Sequence, residues 1–145
     1  MTERESDRAV RDEVADVLVL YATGIDRRDW ALFRSCFTPD CEADYGDIGA
    51  WHGVDEITEW MARSHEACGH TMHRITNIVV DVTGAHHAEA RCYVDALVMG
   101  PDDHGGARAC GFYDDHLVRT DDGWRIARRR YTMVHLDPVG EGMTI

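Results

Sequence analysis

Every stretch of helical periodicity in this chain lies before Gly69, and every long β-rich run lies after it. From Asp7 to about Ile25 the apolar residues Val10, Val14, Val17, Leu18, Tyr21 and Ile25 recur at intervals of three and four, the period of a helix with one buried face. Gly24 and the run Asp26-Arg27-Arg28 signal its end. Asp29 is then placed to cap a short second helix through Trp30, Leu32 and Phe33, which Thr38-Pro39-Asp40 closes with a turn. Short strands are expected at Cys41 to Tyr45 and Ile48 to His52, and Gly53-Val54-Asp55-Glu56 opens a third helix carrying Ile57, Trp60 and Met61. Thr71 to Val82, His87 to Met99, Ala107 to Thr120 and Trp124 to His135 then read as strands, separated by Gly-, Pro- and Asp-rich turns. Helices segregated ahead of an antiparallel meander imply an α+β fold, with the helices covering one face of the sheet.

A chain of 145 residues fits one domain, 1–145, with a core over about 10–136 and a tail at 137–145 that is either loose or packed on a partner subunit. Hydrophobic content of 44% and charged content of 29% are those of an ordinary globular protein. No stretch is apolar for long enough to cross a bilayer, and the charged start is unlike a signal peptide, so a soluble, cytoplasmic protein without a membrane partner is expected. The net charge of −12 argues against nucleic acid, which needs a basic footprint. Five cysteines without a Cys-x-x-Cys suggest reduced thiols. All 15 basic residues are arginine, which removes Schiff-base chemistry and lysine-linked pyridoxal phosphate. No phosphate-binding glycine motif is present, and no cofactor is called for.

Two segments carry the chemistry: Tyr21-x4-Asp26-Arg27-Arg28-Asp29-Trp30, and Met72-His73-x3-Asn77. A carboxylate on one imidazole nitrogen leaves the other free to accept a proton, so Asp26 and His73, with the phenol of Tyr21, form a candidate general-base set. Each also has a plain structural reading. Asp26 lies where helix carbonyls disfavour a carboxylate, yet it reads equally as solvated, paired with Arg27 or Arg28, or a cap. His73 shares strand parity with Ile75 and Val79 and so points inward, as a base or as a core histidine. Tyr21 belongs to the buried helical stripe. Tyr93, Asp95 and Leu97 share one strand face, and Arg129, Tyr131, Met133 and His135 share another. Asp95 needs a partner if buried, and Arg129 is a candidate partner or anion clamp. The run from His65 through Cys68 and His70 to His73 lacks the four-residue spacing of a helical zinc motif, so a polar loop without metal is expected.

With Asp44-Tyr45 and Gly123-Trp124-Arg125-Ile126, this arrangement resembles the SnoaL-like branch of the NTF2-like superfamily over roughly Val10 to Leu136. The likeness extends to scytalone dehydratase, bile acid 7α-dehydratase and hexachlorocyclohexane dehydrochlorinase. It implies a cone in which N-terminal helices pack on a strongly curved, mainly antiparallel sheet and enclose an apolar pocket. It also implies a cofactor-independent lyase, most simply a dehydratase of a small hydrophobic polycyclic substrate. His73 and Asp26 match the Asp/His dyad of these enzymes and Tyr21 a catalytic tyrosine, while Arg129 and Asp95 match further arginine and acidic positions. Tyr45 matches a water-holding tyrosine, and Tyr45, Tyr93, Phe112 and Tyr131 are expected to line the pocket. The second histidine of scytalone dehydratase is replaced near Tyr93 to Asp95, so scytalone itself is not the expected substrate. Cyclase, isomerase or epoxide hydrolase chemistry, or ligand binding without turnover, are the alternatives within the branch. Assembly as a homo-oligomer, trimer or else dimer, is implied by the same resemblance.

Overall fold

The computed structural model describes residues 2–140. Helix α1 (Glu3–Asp26) begins in a capping box, in which Thr2 accepts from the Glu5 amide and the Glu5 carboxylate accepts from the Thr2 amide. Of the predicted stripe, Val14, Val17, Leu18, Tyr21 and Ile25 are buried and Val10 packs against them. The helix runs on past Gly24 because this glycine marks a close approach rather than an end. A Cβ there would lie 2.8 Å from the backbone nitrogen of Phe33. Arg28, at φ 56°, occupies the left-handed position that closes a helix and that glycine usually fills.

Asp29 caps helix α2 (Trp30–Ser35) by accepting from the Leu32 amide. Strand β1 (Phe37–Asp44) follows at once, so Thr38, Pro39 and Asp40 belong to a strand and not to the expected turn. A short 3-10 turn (Gly46–Ile48) leads into β2 (Ala50–His52) and helix α3 (Val54–Ser64), which buries Val54, Ile57 and Met61. Four long strands complete the fold: β3 (Thr71–Val82), β4 (His87–Met99), β5 (Gly106–Thr120) and β6 (Gly123–Val139). Pro138 and Val139 of the expected tail are strand residues, and 141–145 lie outside the described residues.

The six strands form one curved, unclosed sheet in the order β2-β1-β6-β5-β4-β3. All pairings are antiparallel except β1 with β6. The helices pack on the inner face, which β4 lines with the small residues Ala88, Ala90, Cys92, Val94 and Ala96. Three irregularities set which side chains face inward. Register shifts between Thr76 and Val79, where Asn77 sits at φ 51°, so Ile78 and Val80 pack on the core while Val79 is 67% exposed, against the expected parity. On β6 an extra residue at Ala127 lets Ile126 and Arg129 both point inward, and another at Val134 leaves His135 exposed while Met133, itself partly exposed, lines the cavity between helices and sheet. Bulges of this kind re-aim side chains without ending the strand.

Candidate active site

Asp26 is the last residue of α1, and Thr71 and His73 open β3. Its carboxylate gathers three donors. Oδ1 accepts from the Thr71 hydroxyl at 2.9 Å and from Nδ1 of His73 at 2.7 Å, and Oδ2 accepts from the His73 amide at 2.8 Å. Burial works to raise the Asp26 pKa, but the hydrogen bonds from His73 and Thr71 outweigh it and hold the carboxyl below its ordinary value. Because a carboxylate only accepts, His73 carries its proton on Nδ1, and Nε2 has no partner among the described residues. Arg28 fixes the frame: its guanidinium donates to the Ile25 carbonyl at 2.9 Å, to Thr71 Oγ1 at 2.8 Å and to the Gly69 carbonyl at 2.6 Å.

His73 lines a partly open cavity of about 260 Å³ between the helices and the sheet, with walls that include Tyr21, Tyr45, His65, Tyr113 and Tyr131. The apolar part of the wall comes from Trp60, Met61, Val94, Val98 and Met133. Three phenols share hydrogen bonds: Tyr21 with Tyr45 at 2.7 Å and Tyr21 with Tyr113 at 3.3 Å. Burial pushes all three phenol pKa values well above their ordinary value, and the charge of Arg129 opposes the rise in each. Arg129 is 1% exposed, with its guanidinium carbon 4.1 Å from the ring centre of Tyr21 and 3.8 Å from that of Tyr113. Asp115, 2% exposed, holds it by a two-pronged contact, Nε to Oδ1 at 2.7 Å and Nη2 to Oδ2 at 2.8 Å. The remaining Nη1 is buried without a partner among the described residues.

The structure thus brings Asp26, His73, Tyr21, Tyr45, Tyr131 and Arg129 to one region, and it places three expected residues elsewhere. Asp95 lies on the outer face of the sheet. It accepts twice from Arg108 at 2.9 Å and once from Arg74 at 3.0 Å, and the Arg108 contacts hold its carboxyl well below the usual range. Tyr93 is 50% exposed on the same outer face, opposite Phe112, and the Arg91 guanidinium covers the Phe112 ring at 4.0 Å. The physical reason is the alternation of β4, whose inner parity belongs to the small residues Ala90, Cys92, Val94 and Ala96. A larger depression of about 720 Å³, lined by charged side chains including Glu42, Glu89, Arg128 and Arg130, contains neither Asp26 nor His73.

Three residues of the site escaped the sequence reading. Tyr113 and Asp115 share the parity of Leu117 on β5, and a carboxylate between an aromatic and a leucine was a signal for a buried partner. His65 falls within the expected polar loop, but it follows α3 directly and lines the cavity, whereas His70 pairs outside with Asp103 at 2.7 Å.

A family model described as a SnoaL-like domain matches residues 6–130. The uncharacterized proteins Rv2910c of Mycobacterium tuberculosis and Mb2934c of Mycobacterium bovis are each 34% identical over 122 residues, 82% of this chain and 82% of theirs. Among solved structures, a protein of Novosphingobium aromaticivorans provisionally assigned as a scytalone dehydratase matches with a TM-score of 0.86 at 18% identity, over 98% of this chain and 99% of that one. The Kfla4162 protein of Kribbella flavida matches with a TM-score of 0.83 at 24% identity, over 90% and 95%. The hexachlorocyclohexane dehydrochlorinase LinA-type3 of Novosphingobium barchaimii matches with a TM-score of 0.76 at 16% identity, over 98% and 96%. At these identities the three structures establish the fold alone.

Proposed function

The chain belongs to the SnoaL-like family of the NTF2-like superfamily, and from that premise we propose that it is a cofactor-independent lyase, a dehydratase acting on a small hydrophobic ring compound. The observation that carries this reading is the imidazole of His73, held by Asp26 in the tautomer that leaves Nε2 free in a partly open, mostly apolar cavity. His73 takes a proton from the carbon next to a carbonyl, and the nearby carboxylate stabilises the imidazolium that forms. Charge moves onto the carbonyl oxygen, where the phenol cluster donates. Arg129 beneath the rings of Tyr21 and Tyr113 makes those phenols better donors. The carbon–oxygen bond to the leaving hydroxyl then breaks, the double bond forms, and the proton held by His73 departs with the hydroxyl as water.

The volume of about 260 Å³ lies below the roughly 300–1,000 Å³ of most ligand pockets. A benzene ring occupies a cavity of about 150 Å³, so a compound of one or two fused rings matches this space.

The test is to incubate the chain with one- and two-ring β-hydroxy ketones and follow the conjugated enone by its absorbance. Enone formation that His73→Ala and Asp26→Asn each reduce by about 100-fold or more supports the proposal. Binding of these ketones without turnover, unaffected by either substitution, would instead assign the chain a ligand-binding role. Homo-oligomeric assembly, trimer or dimer, is part of the same proposal, and light scattering reads it directly.

A further inference from the structure

The cavity holds a second imidazole. His65 follows the last turn of α3, with its ring centre 6.5 Å from that of His73. Its Nδ1 lies 2.8 Å from the Met61 carbonyl and 3.1 Å from the Ser64 hydroxyl. A carbonyl can only accept, so Nδ1 carries the proton and Nε2 keeps its lone pair. The Ser64 hydroxyl spends its own proton on Met61, at 3.0 Å, so it cannot pull the ring into the other tautomer. Nε2 of His65 has no partner among the described residues. Burial disfavours the charged form of the ring, the Met61 carbonyl opposes this, Arg28 and His73 add to it, and Asp26 opposes it, with the balance lowering the pKa from its ordinary value.

The polar inventory of the cavity now becomes specific. Three phenols share two hydrogen bonds, which leaves at least one O–H free to donate to a ligand. The hydroxyl of Tyr131, a fourth phenol in the wall, can donate or accept, whereas Nε2 of His73 and Nε2 of His65 can only accept. An acceptor held in a mostly apolar cavity is left unsatisfied by any ligand that displaces water and brings no donor.

We infer that His65 is the specificity-determining acceptor of this cavity, its Nε2 receiving a hydrogen bond from a hydroxyl group on the ring compound that binds there. The ligand class is therefore a hydroxylated one- or two-ring compound that also bears an oxygen acceptor for the phenols. This deepens the lyase reading, because a dehydratase substrate must carry a hydroxyl. The contact itself concerns binding and is measurable without turnover.

The experiment uses 2-naphthol and 2-methoxynaphthalene, which share a two-ring body and an oxygen at the same position, a methyl group in the second replacing the hydroxyl proton of the first, titrated into the full chain by calorimetry. The wild type is expected to prefer 2-naphthol by about tenfold or more. His65→Phe should abolish that preference. A preference that is absent in the wild type or survives in His65→Phe overturns the inference, as does binding of neither probe. Nitrogen-15 NMR of the unsubstituted chain is independent of any folding defect in the variants. It should find His65 neutral with a bare Nε2 that shifts on adding 2-naphthol, and an imidazolium or an Nε2–H tautomer at neutral pH overturns the inference. Failure of enone formation with the naphthol preference intact sinks only the lyase reading, and the converse result sinks only this one.

Discussion

The guanidinium of Arg28 donates to the hydroxyl of Thr71 at 2.8 Å, and that hydroxyl passes its own proton toward Asp26 at 2.9 Å. One residue in a left-handed turn thereby sets the direction of the carboxylate that orients His73. Arg28→Ala removes three hydrogen bonds across the junction of α1 and β3. The expected result is a loss of about 1–3 kcal/mol in urea unfolding. Turnover of any substrate found should fall by about tenfold with KM little changed, because the positioning contact is lost and the cavity wall is not.

Asp26 gives the chain a signature in acid. Its folded pKa lies below the unfolded value of about 3.9, so its contribution to stability is complete above that value and is lost as pH falls through the lower, folded one. Asp26→Asn should lower stability at pH 7 and remove part of the decline on going below about pH 4. Denaturant unfolding at several pH values measures both, and a variant whose decline parallels that of the wild type contradicts the assignment.

The pair Arg129 and Asp115 is buried on both sides, with side-chain exposures of 0% and 0%. Removing one partner strands the other, so Asp115→Ala should cost about 3–5 kcal/mol. Replacing both, as Arg129→Met with Asp115→Leu, should recover most of that loss, since apolar residues of similar volume pack there without a charge to desolvate. Thermal unfolding of the two single variants and the double variant forms the cycle that tests it. Recovery of stability together with loss of turnover would identify a pair kept for chemistry.

Gly24→Ala sets two effects against each other. Helix propensity favours alanine by up to about 1 kcal/mol, but the new Cβ would lie 2.8 Å from the Phe33 nitrogen and 3.0 Å from its Cα. Those are backbone atoms of α2 and cannot swing aside, and overpacking of this kind costs about 1–3 kcal/mol. Net destabilisation is therefore expected. A raised melting temperature would mean that α2 yields more easily than its contacts suggest.

Much of this architecture follows from local pattern. The stripe from Val10 to Ile25, the cap at Asp29 and the four strand runs after Gly69 each carry their own period or turn chemistry, and each appears as expected, with bounds extended at several ends. The nearness of Asp26 and His73, 47 residues apart, entered through family resemblance, since neither residue alone outweighs its structural reading. Strand faces are another matter. A single extra residue exchanges the two faces of a strand, and here the bulges at Asn77, Ala127 and Val134 do so three times. Tyr93, Asp95 and Phe112 were expected at the site through the family resemblance, yet the inner face of β4 is made of small residues, Tyr93 and Asp95 stand on its outer face, and Phe112 of β5 lies opposite Tyr93.

The sequence by itself thus determined which segments are helix and which are strand, and that they segregate, because those properties depend on neighbours within a few positions. Only the tertiary structure decided that Arg129 meets Asp115, that Tyr113 joins Tyr21 and Tyr45, and that His65 shares a cavity with His73. Each of those contacts joins separate elements across the fold, and each depends on register, bulge placement and helix approach, which are settled by packing the whole inner face at once and leave no local mark in the chain.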